Sequence, residues 1–383
     1  MRIALDVLAA RGYTGLAVYT RGVACALASL FPSVDWTFIG DAVSLCSIKA
    51  GFERVNGTIA PRYMAIGGGR FGLNRSLPSV ADLQVWRTMV GKYLEEDQYD
   101  LLYSPTFYLP TKDCSVKMVT TILDVTFHTI PSDYSEDWRI FFEEATKDSC
   151  LRSSAIICPS VVTQTELFRN FLVPQDRVHV IPPGIGREFS PASQREILRV
   201  REKYSLSFPY VLDVVGSWKP RKNTRNLLSA YEILHRISGT NAPVLILVSQ
   251  VLFHSPQLLG SVPDGVRLLP YIPQSDLSGV ISGAHAVVYP SQAEGFGMPV
   301  LEALACGTAA VVSDLPIFHE TTSGHAIYVD EEDPESIAYG IISALDQRDR
   351  VEMREERICY ARLFDWSRTA MSTMRVFEDI VTD

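Results

Sequence analysis

The chain has 383 residues, 47% of them hydrophobic and 21% charged, with a formal net charge of −9. That length exceeds one ordinary core and predicts two domains of a globular protein. The acidic excess, without any lysine-arginine block, argues against a nucleic-acid partner, and no apolar run approaches the ~20 residues of a membrane helix.

In chain order, the first half offers strands at 2–7 ("RIALDV"), 36–40, 101–105, 117–124, 155–160 and 178–182. Helical periodicity falls between them over 14–31, 81–95, 135–152 and 161–171. The opening "MRIALDVLAARGYTG" enters a strand at once and carries no signal-peptide pattern. Seven cysteines without a C-x-x-C fit reduced thiols, so the expected location is cytoplasmic. The stretch "PPGIGREFSPAS" (182–193) reads as a linker, after which the pattern restarts. Strands follow at 210–216, 243–249, 266–272, 286–291, 309–314 and 326–330, and helices begin near Asn223, Ser275, Pro299 and Pro334. Residues 366–380 form one more amphipathic helix.

Near-continuous apolar strands alternating with helices imply parallel sheets covered on both faces. The expected fold class is therefore α/β, with two doubly wound Rossmann-like domains facing each other across a cleft. Ligands of such sheets bind outside the carboxyl ends of the strands. The expected domains are 1–188 and 189–365, with 366–383 returning as a helix to the first.

The chemistry concentrates in "PSQAEGFGMPVLEALACG", Pro290 to Gly307. Glu294 lies in a loop after an apolar strand, and Pro299 reads as a helix start, which places Glu302 on the first turn. The amides of Gly295, Phe296, Gly297 and Met298 offer donors, and a carboxylate grips paired sugar hydroxyls well. Singly, Glu302 is explained by the helix dipole alone. Upstream, strand 210–216 ends at Gly216, and Arg221 and Lys222 stand just before a helix capped by Asn223 or Thr224. Two cations beside a positive helix end suit a diphosphate. A lone Arg-Lys pair is more often a solvated loop, but here both segments leave the same edge of one sheet.

Several other features carry less. "IGGGRFG" contains G-x-G-x-x-G at Gly67, Gly69 and Gly72, but it follows no first strand and opens no helix, so a nicotinamide-dependent oxidoreductase is disfavoured. With Arg62, Arg70 and Arg75 it reads as a solvated loop or as an approach for an anionic acceptor. His319 and His325 lie in loop-like sequence without metal spacing, and Cys306 reads as helix packing.

"PSQAEGFGMPVLEALACGTAAVVSDLPIFHE" resembles the E-x7-E segment of the retaining glycosyltransferases of family 4, which have the GT-B fold, and "VVGSWKPRKN" resembles their phosphate-binding segment. "AIICPSVVTQTELFRNFLVPQDRVHVIPPGIGREFSP" and "RLLPYIPQSDLSGVISGAHAVVYPS" extend the likeness over most of the chain, which also resembles the family's mannosyltransferase-like branch. The resemblance implies that Glu302 holds the nucleotide ribose and that Glu294 faces the donor sugar with Phe296, Gly297 and Met298. Arg221 and Lys222 would bind the diphosphate, with backbone at Tyr271 and Ile272 against the base. Asp124 is carried over as a catalytic residue. No cofactor or metal is expected beyond the nucleotide-diphosphate sugar itself.

The donor so implied is GDP-mannose, and the acceptor is a saccharide or lipid-linked saccharide met at the inner membrane face. Two departures qualify this. The family's G-x-G-x-Y loop is Gly15, Leu16, Ala17, Val18, Tyr19, where a methyl at Ala17 would hold donor phosphates farther off. Its T-x-H-D is Thr121, Ile122, Leu123, Asp124, so the histidine near the sugar's 6-hydroxyl is replaced by leucine. Either nearby His128 or another side chain substitutes, or the loop lies elsewhere, or the donor is a 6-deoxy sugar (GDP-rhamnose, GDP-fucose or dTDP-rhamnose), or the chain is a catalytically silent sugar-nucleotide-binding protein.

Overall fold

The computed structural model describes residues 1–12, 14–55, 61–66, 79–96, 98–111, 115–215, 219–260, 262–348 and 350–382. The chain divides into two units, one formed by Met1–Gly184 together with Phe364–Asp383, the other by Ile185–Leu363.

Among the described residues the first unit carries seven parallel strands: β1 (Arg2–Asp6), β2 (Asp35–Gly40), β3 (Arg62–Ala65), β4 (Leu101–Ser104), β5 (Lys117–Thr121), β6 (Ala155–Cys158) and β7 (Val178–Val180). They lie in the order β3-β2-β1-β4-β5-β6-β7. The second unit has six, β8 (Tyr210–Asp213), β9 (Val244–Val248), β10 (Val266–Leu269), β11 (Ala286–Tyr289), β12 (Ala310–Ser313) and β13 (Ile327–Val329). Their order is β10-β9-β8-β11-β12-β13, again parallel throughout. In both sheets the order reverses beside the first strand, and the crevice outside the strand ends there is where such folds take ligands. Each strand near that reversal is buried along its whole length, "YVLD" in β8 and "AVVY" in β11, because helices cover both faces.

The helix Trp366–Thr382 belongs to the first unit. It buries Ala370, Met374 and Phe377 in the same core as Ile3, Leu5 and Tyr19. Thr369 Oγ1 donates to the carbonyl of Pro182 at 2.8 Å, and Trp366 meets Tyr19 edge-on with centroids 5.8 Å apart. Gly22 makes room for this contact, since a Cβ there would fall inside the Trp366 indole.

Several elements differ from expectation. β3 is short and only partly buried, without the apolar run that marks the other strands. The helix Gln194–Lys203 occupies sequence outside every expected element, although its capping box is present: Ser193 accepts from Glu196 N, and Glu196 reaches back to Ser193 N at 2.9 Å. Strands expected over 210–216 and 266–272 end earlier, at Asp213 and Leu269, so the chain turns into loops sooner. His319 lies in the helix Pro316–Thr322 and not in a loop; its Nε2 meets Asp314 Oδ1 and its ring stacks on Tyr328 at 4.1 Å. The glycine-rich segment 67–72, with Arg70 and Arg75, lies outside the described residues, while Arg62 pairs with Asp35 at 3.3 Å.

Candidate active site

The second unit brings Arg221, Lys222 and Glu294 together at the carboxyl edge of its sheet. β8 and β11 are neighbours, with Val287 opposite Leu212, so the loops leaving them run side by side. Gln292 N donates to the Arg221 carbonyl at 2.8 Å and fastens one loop to the other. A single carboxylate oxygen, Glu294 Oε1, then accepts from Lys222 Nζ at 2.6 Å, Arg221 Nη1 at 3.0 Å and Tyr289 Oη at 3.1 Å. Arg221 Nη1 also donates to the Ala293 carbonyl at 2.7 Å. Lys222 donates to the Tyr289 hydroxyl and sits 4.7 Å from the centre of that ring.

All three charged side chains are largely buried, so their electrostatics are strong. Burial pushes the Glu294 carboxyl up, but Lys222 and then Arg221 outweigh it and hold it below the ordinary glutamate value. For Lys222 burial works against the charge, and the Glu294 carboxylate more than reverses that, raising the ammonium. Burial and the Glu294 charge push the Tyr289 phenol up to about 12.

Asp213, the last residue of β8, adds a second acid that sequence reasoning missed. It is 2% exposed, and among the described residues its Oδ2 has no hydrogen-bond partner. Burial pushes its carboxyl up to about 7, against the pull of Lys222 and with a further push from Glu294. Tyr289 was missed as well, because a tyrosine ending a buried strand looks like core. Its position next to a loop acid was the available signal.

The loop after Glu294 turns sharply at Gly297, where φ is +86°. A side chain is excluded twice, by that left-handed backbone and by Phe318, whose Cε1 would lie 2.8 Å from a Cβ. Phe318 packs edge-on against Tyr289 at 6.1 Å, so the turn and the ion cluster share one aromatic support. The helix Met298–Ala305 starts directly after the turn, and the first amide groups of a helix have no partner within it. Gly295 and Phe296 are buried just before it.

Glu302 is the fifth residue of that helix, not on the first turn, because the helix begins at Met298 rather than at Pro299. The helix dipole falls off within one turn and so does not explain it. The neighbour on its carboxyl is Glu188, and burial together with that charge pushes Glu302 up to about 8. Asn223 stands at the expected cap, but in left-handed backbone; its amide donates to the Glu331 carbonyl at 2.6 Å and does not cap the helix Thr224–Ser238. Tyr271 and Ile272 follow β10 and precede the helix Gln274–Gly283, with Ile272 2% exposed. Gly216 lies outside the described residues. Cys306 is buried, and burial pushes its thiol up to about 11, so it packs and does not react.

Three expected residues belong to the first unit. Gly15 opens the helix Gly15–Leu30, whose cap Thr14 accepts from Ala17 N at 3.3 Å. Ala17 is fully buried beneath the start of that helix. Asp124 Oδ1 accepts from Thr126 N at 3.0 Å and Thr126 Oγ1 at 2.6 Å, just before the short helix Thr126–Thr129. Leu123 packs against the core cluster of the first unit, and His128 Nε2 is paired with Glu143 Oε2 at 2.7 Å.

Among the described residues no three His, Cys, Asp or Glu side chains are grouped to hold a metal ion, and no helix is long and apolar enough to cross a membrane.

Comparison with known proteins places this geometry. Residues 53–189 match the family described as Glycosyltransferase Family 4, and residues 200–364 match Glycosyl transferases group 1. The chain is 29% identical to O-antigen chain mannosyltransferase B of Escherichia coli over 289 residues, 74% of this chain and 75% of that one. It is 27% identical to O-antigen chain mannosyltransferase RfbU of Salmonella typhimurium over 220 residues, 55% of this chain and 58% of that one. Among solved structures, sucrose-phosphate synthase from Thermosynechococcus elongatus superposes with a TM-score of 0.76 at 18% identity, covering 100% of this chain and 99% of that one. Anabaena Alr3699/HepE, solved in complex with UDP and glucose, gives 0.73 at 16% identity, covering 99% of this chain and 100% of that one. Both sheets, the two family matches and the mannosyltransferase relatives agree: this chain is a glycosyltransferase of family 4, with the two Rossmann-like units of the GT-B fold.

Proposed function

We propose that the chain transfers a hexose from a nucleotide-diphosphate sugar to a saccharide hydroxyl, with retention at the anomeric carbon, and that the donor is GDP-mannose. The observation that carries this is the sharing of Glu294 by Arg221 and Lys222 at the reversal point of the second sheet. Two cations on one carboxylate leave a net positive charge in a buried place, and a diphosphate supplies the missing negative charge. As the diphosphate takes over the cations, Glu294 is released to accept from sugar hydroxyls. The same cations then meet the charge that develops on the leaving phosphate as the glycosidic bond breaks. Glu302 accepts the ribose hydroxyls, and the amides at Gly297 and Met298 face the sugar. The relatives named as O-antigen chain mannosyltransferases support mannose and a saccharide acceptor; that the acceptor is lipid-linked and met at the membrane surface is part of the proposal.

A 6-deoxy-hexose donor is the second reading, and Leu123 in place of the family's histidine favours it. The packing of Leu123 against the first unit's core gives the leucine a structural role and weakens that argument.

The test is a thermal-shift panel of GDP, UDP, dTDP, their sugars and nicotinamide cofactors on the wild type and on Glu302→Ala. A ligand at 100 times its Kd stabilises by about 2.7 kcal/mol. A shift by GDP and GDP-mannose that the variant loses is expected, followed by turnover of GDP-mannose over GDP-rhamnose. A shift by a nicotinamide cofactor, or by no nucleotide, overturns the reading. Binding without turnover on any acceptor identifies a silent binding protein.

A further inference from the structure

The second unit also contains a cavity of mixed polar and apolar lining, at the opposite edge of its sheet. β12 starts at Ala310 and β13 at Ile327, and a cavity of about 140 Å3 opens beside these amino ends. That is far more than the ~10–15 Å3 one water needs. Ala310, Ile327 and Met353 form apolar walls, and Arg357, Gln347 and His325 bring polar groups to them.

Arg357 is the unusual member. It is 3% exposed, yet its protein hydrogen bond runs from Nη2 to a neutral acceptor, Gln347 Oε1, at 2.7 Å. Among the described residues no carboxylate lies within ion-pairing distance of it. Other buried cations of the chain are paired: Arg11 with Asp41 at 2.9 Å, Arg87 with Asp148 at 2.8 Å and Lys222 with Glu294 at 2.6 Å. Glu356, the adjacent residue, lines the cavity but is exposed to water, so its attraction is screened. Burial lowers the affinity of the guanidinium for its proton, the mark of a charge without full compensation.

A buried charge is tolerated when something pairs with it. Planar guanidinium groups match oxyanions, which accept two parallel hydrogen bonds. We propose that this cavity is a second ligand site, taking the phosphate or carboxylate group of a small metabolite against Arg357, with Gln347 and His325 beside it. The inference stands on the second unit alone and does not rest on the donor-site reading.

The test titrates inorganic phosphate and, separately, acetate into the Arg221→Ala/Lys222→Ala protein by calorimetry at fixed ionic strength, so that the donor-site cations do not contribute. The same titrations are run with Arg357→Gln or His325→Ala added. One saturable anion per chain is expected, weakened by about tenfold or more in Arg357→Gln, as loss of a charged hydrogen bond implies. His325→Ala weakens it less. The preferred anion tells a phosphate-bearing ligand from a carboxylate. Binding that does not saturate, or that Arg357→Gln leaves unchanged, overturns the proposal. Should Arg357→Gln fail to fold, unchanged binding in His325→Ala overturns it equally.

Discussion

Lys222 Nζ meets Glu294 Oε1 at 2.6 Å and Arg221 Nη1 meets the same oxygen at 3.0 Å, so one carboxylate holds two buried cations. The arrangement is asymmetric. Glu294→Gln strands both cations and should cost on the order of 3–5 kcal/mol, the range for breaking a buried pair from one side. Lys222→Met leaves Arg221 on Glu294 and should cost clearly less. Urea denaturation of both variants checks this, and equal losses would mean that the two cations do not share the charge.

Glu302 gives a pH dependence to nucleotide affinity. Free, its carboxyl is pushed up to about 8, so the protein holds that proton at neutral pH. An ionised carboxylate accepts on both oxygens, whereas the protonated carboxyl turns one of them into a donor, so gripping two ribose hydroxyls favours the ionised form. Binding should therefore release a proton, and affinity should rise between about pH 6 and 8. Calorimetry in buffers of different ionisation enthalpy measures the release directly. Glu302→Gln should show none, and a wild type that also shows none would remove Glu302 from the ribose.

Asp213 acts on stability. The folded state keeps its proton up to about pH 7, whereas the unfolded chain loses it near the ordinary value of 3.8. Between those values the folded state binds the extra proton, so this group makes stability fall as pH rises, by up to about 1.4 kcal/mol per pH unit. Asp213→Asn cannot ionise and should flatten that part of the profile. Denaturation midpoints measured across this range decide it; parallel curves for wild type and variant would refute the assignment.

Gly22 and Trp366 form a notch and a plug. Gly22→Ala places a methyl inside the indole, and overpacking of this kind costs about 1–3 kcal/mol. Trimming the plug with Trp366→Leu should recover part of the loss. If the double variant is no more stable than Gly22→Ala alone, the contact does not govern the helix.

The parallel sheets were legible because buried strands such as "AVVYPS" and "PVLILVS" are uninterrupted apolar runs. β3 was not, since "RYMA" is partly exposed and mixes charge with apolar residues. The helix Gln194–Lys203 has a strongly polar surface and one fully buried residue, Val200, so its apolar stripe is too thin to see; only Ser193 and Glu196 announced it. At the site, the residue types and their order were readable at Arg221, Lys222 and Glu294. Their meeting on one carboxylate oxygen was not, because it depends on the register that sets β8 beside β11. Asp213 escaped notice for the same reason: at the end of an apolar strand it looks like a boundary, and only burial without a partner distinguishes it.

The helix Trp366–Thr382 also bears on how the chain is made. A ribosome delivers residues in order, and the first unit's sheet, complete by Val180, must wait for almost two hundred further residues before Ala370, Met374 and Phe377 arrive to close its core. The second unit, by contrast, is continuous from Ile185 to Leu363 and has its whole core available earlier. The unit encoded second can therefore finish first. The first spends that interval without Trp366 and Phe377 against Tyr19 and Tyr103, and exposed apolar surface of that kind is what makes incomplete folds prone to aggregate.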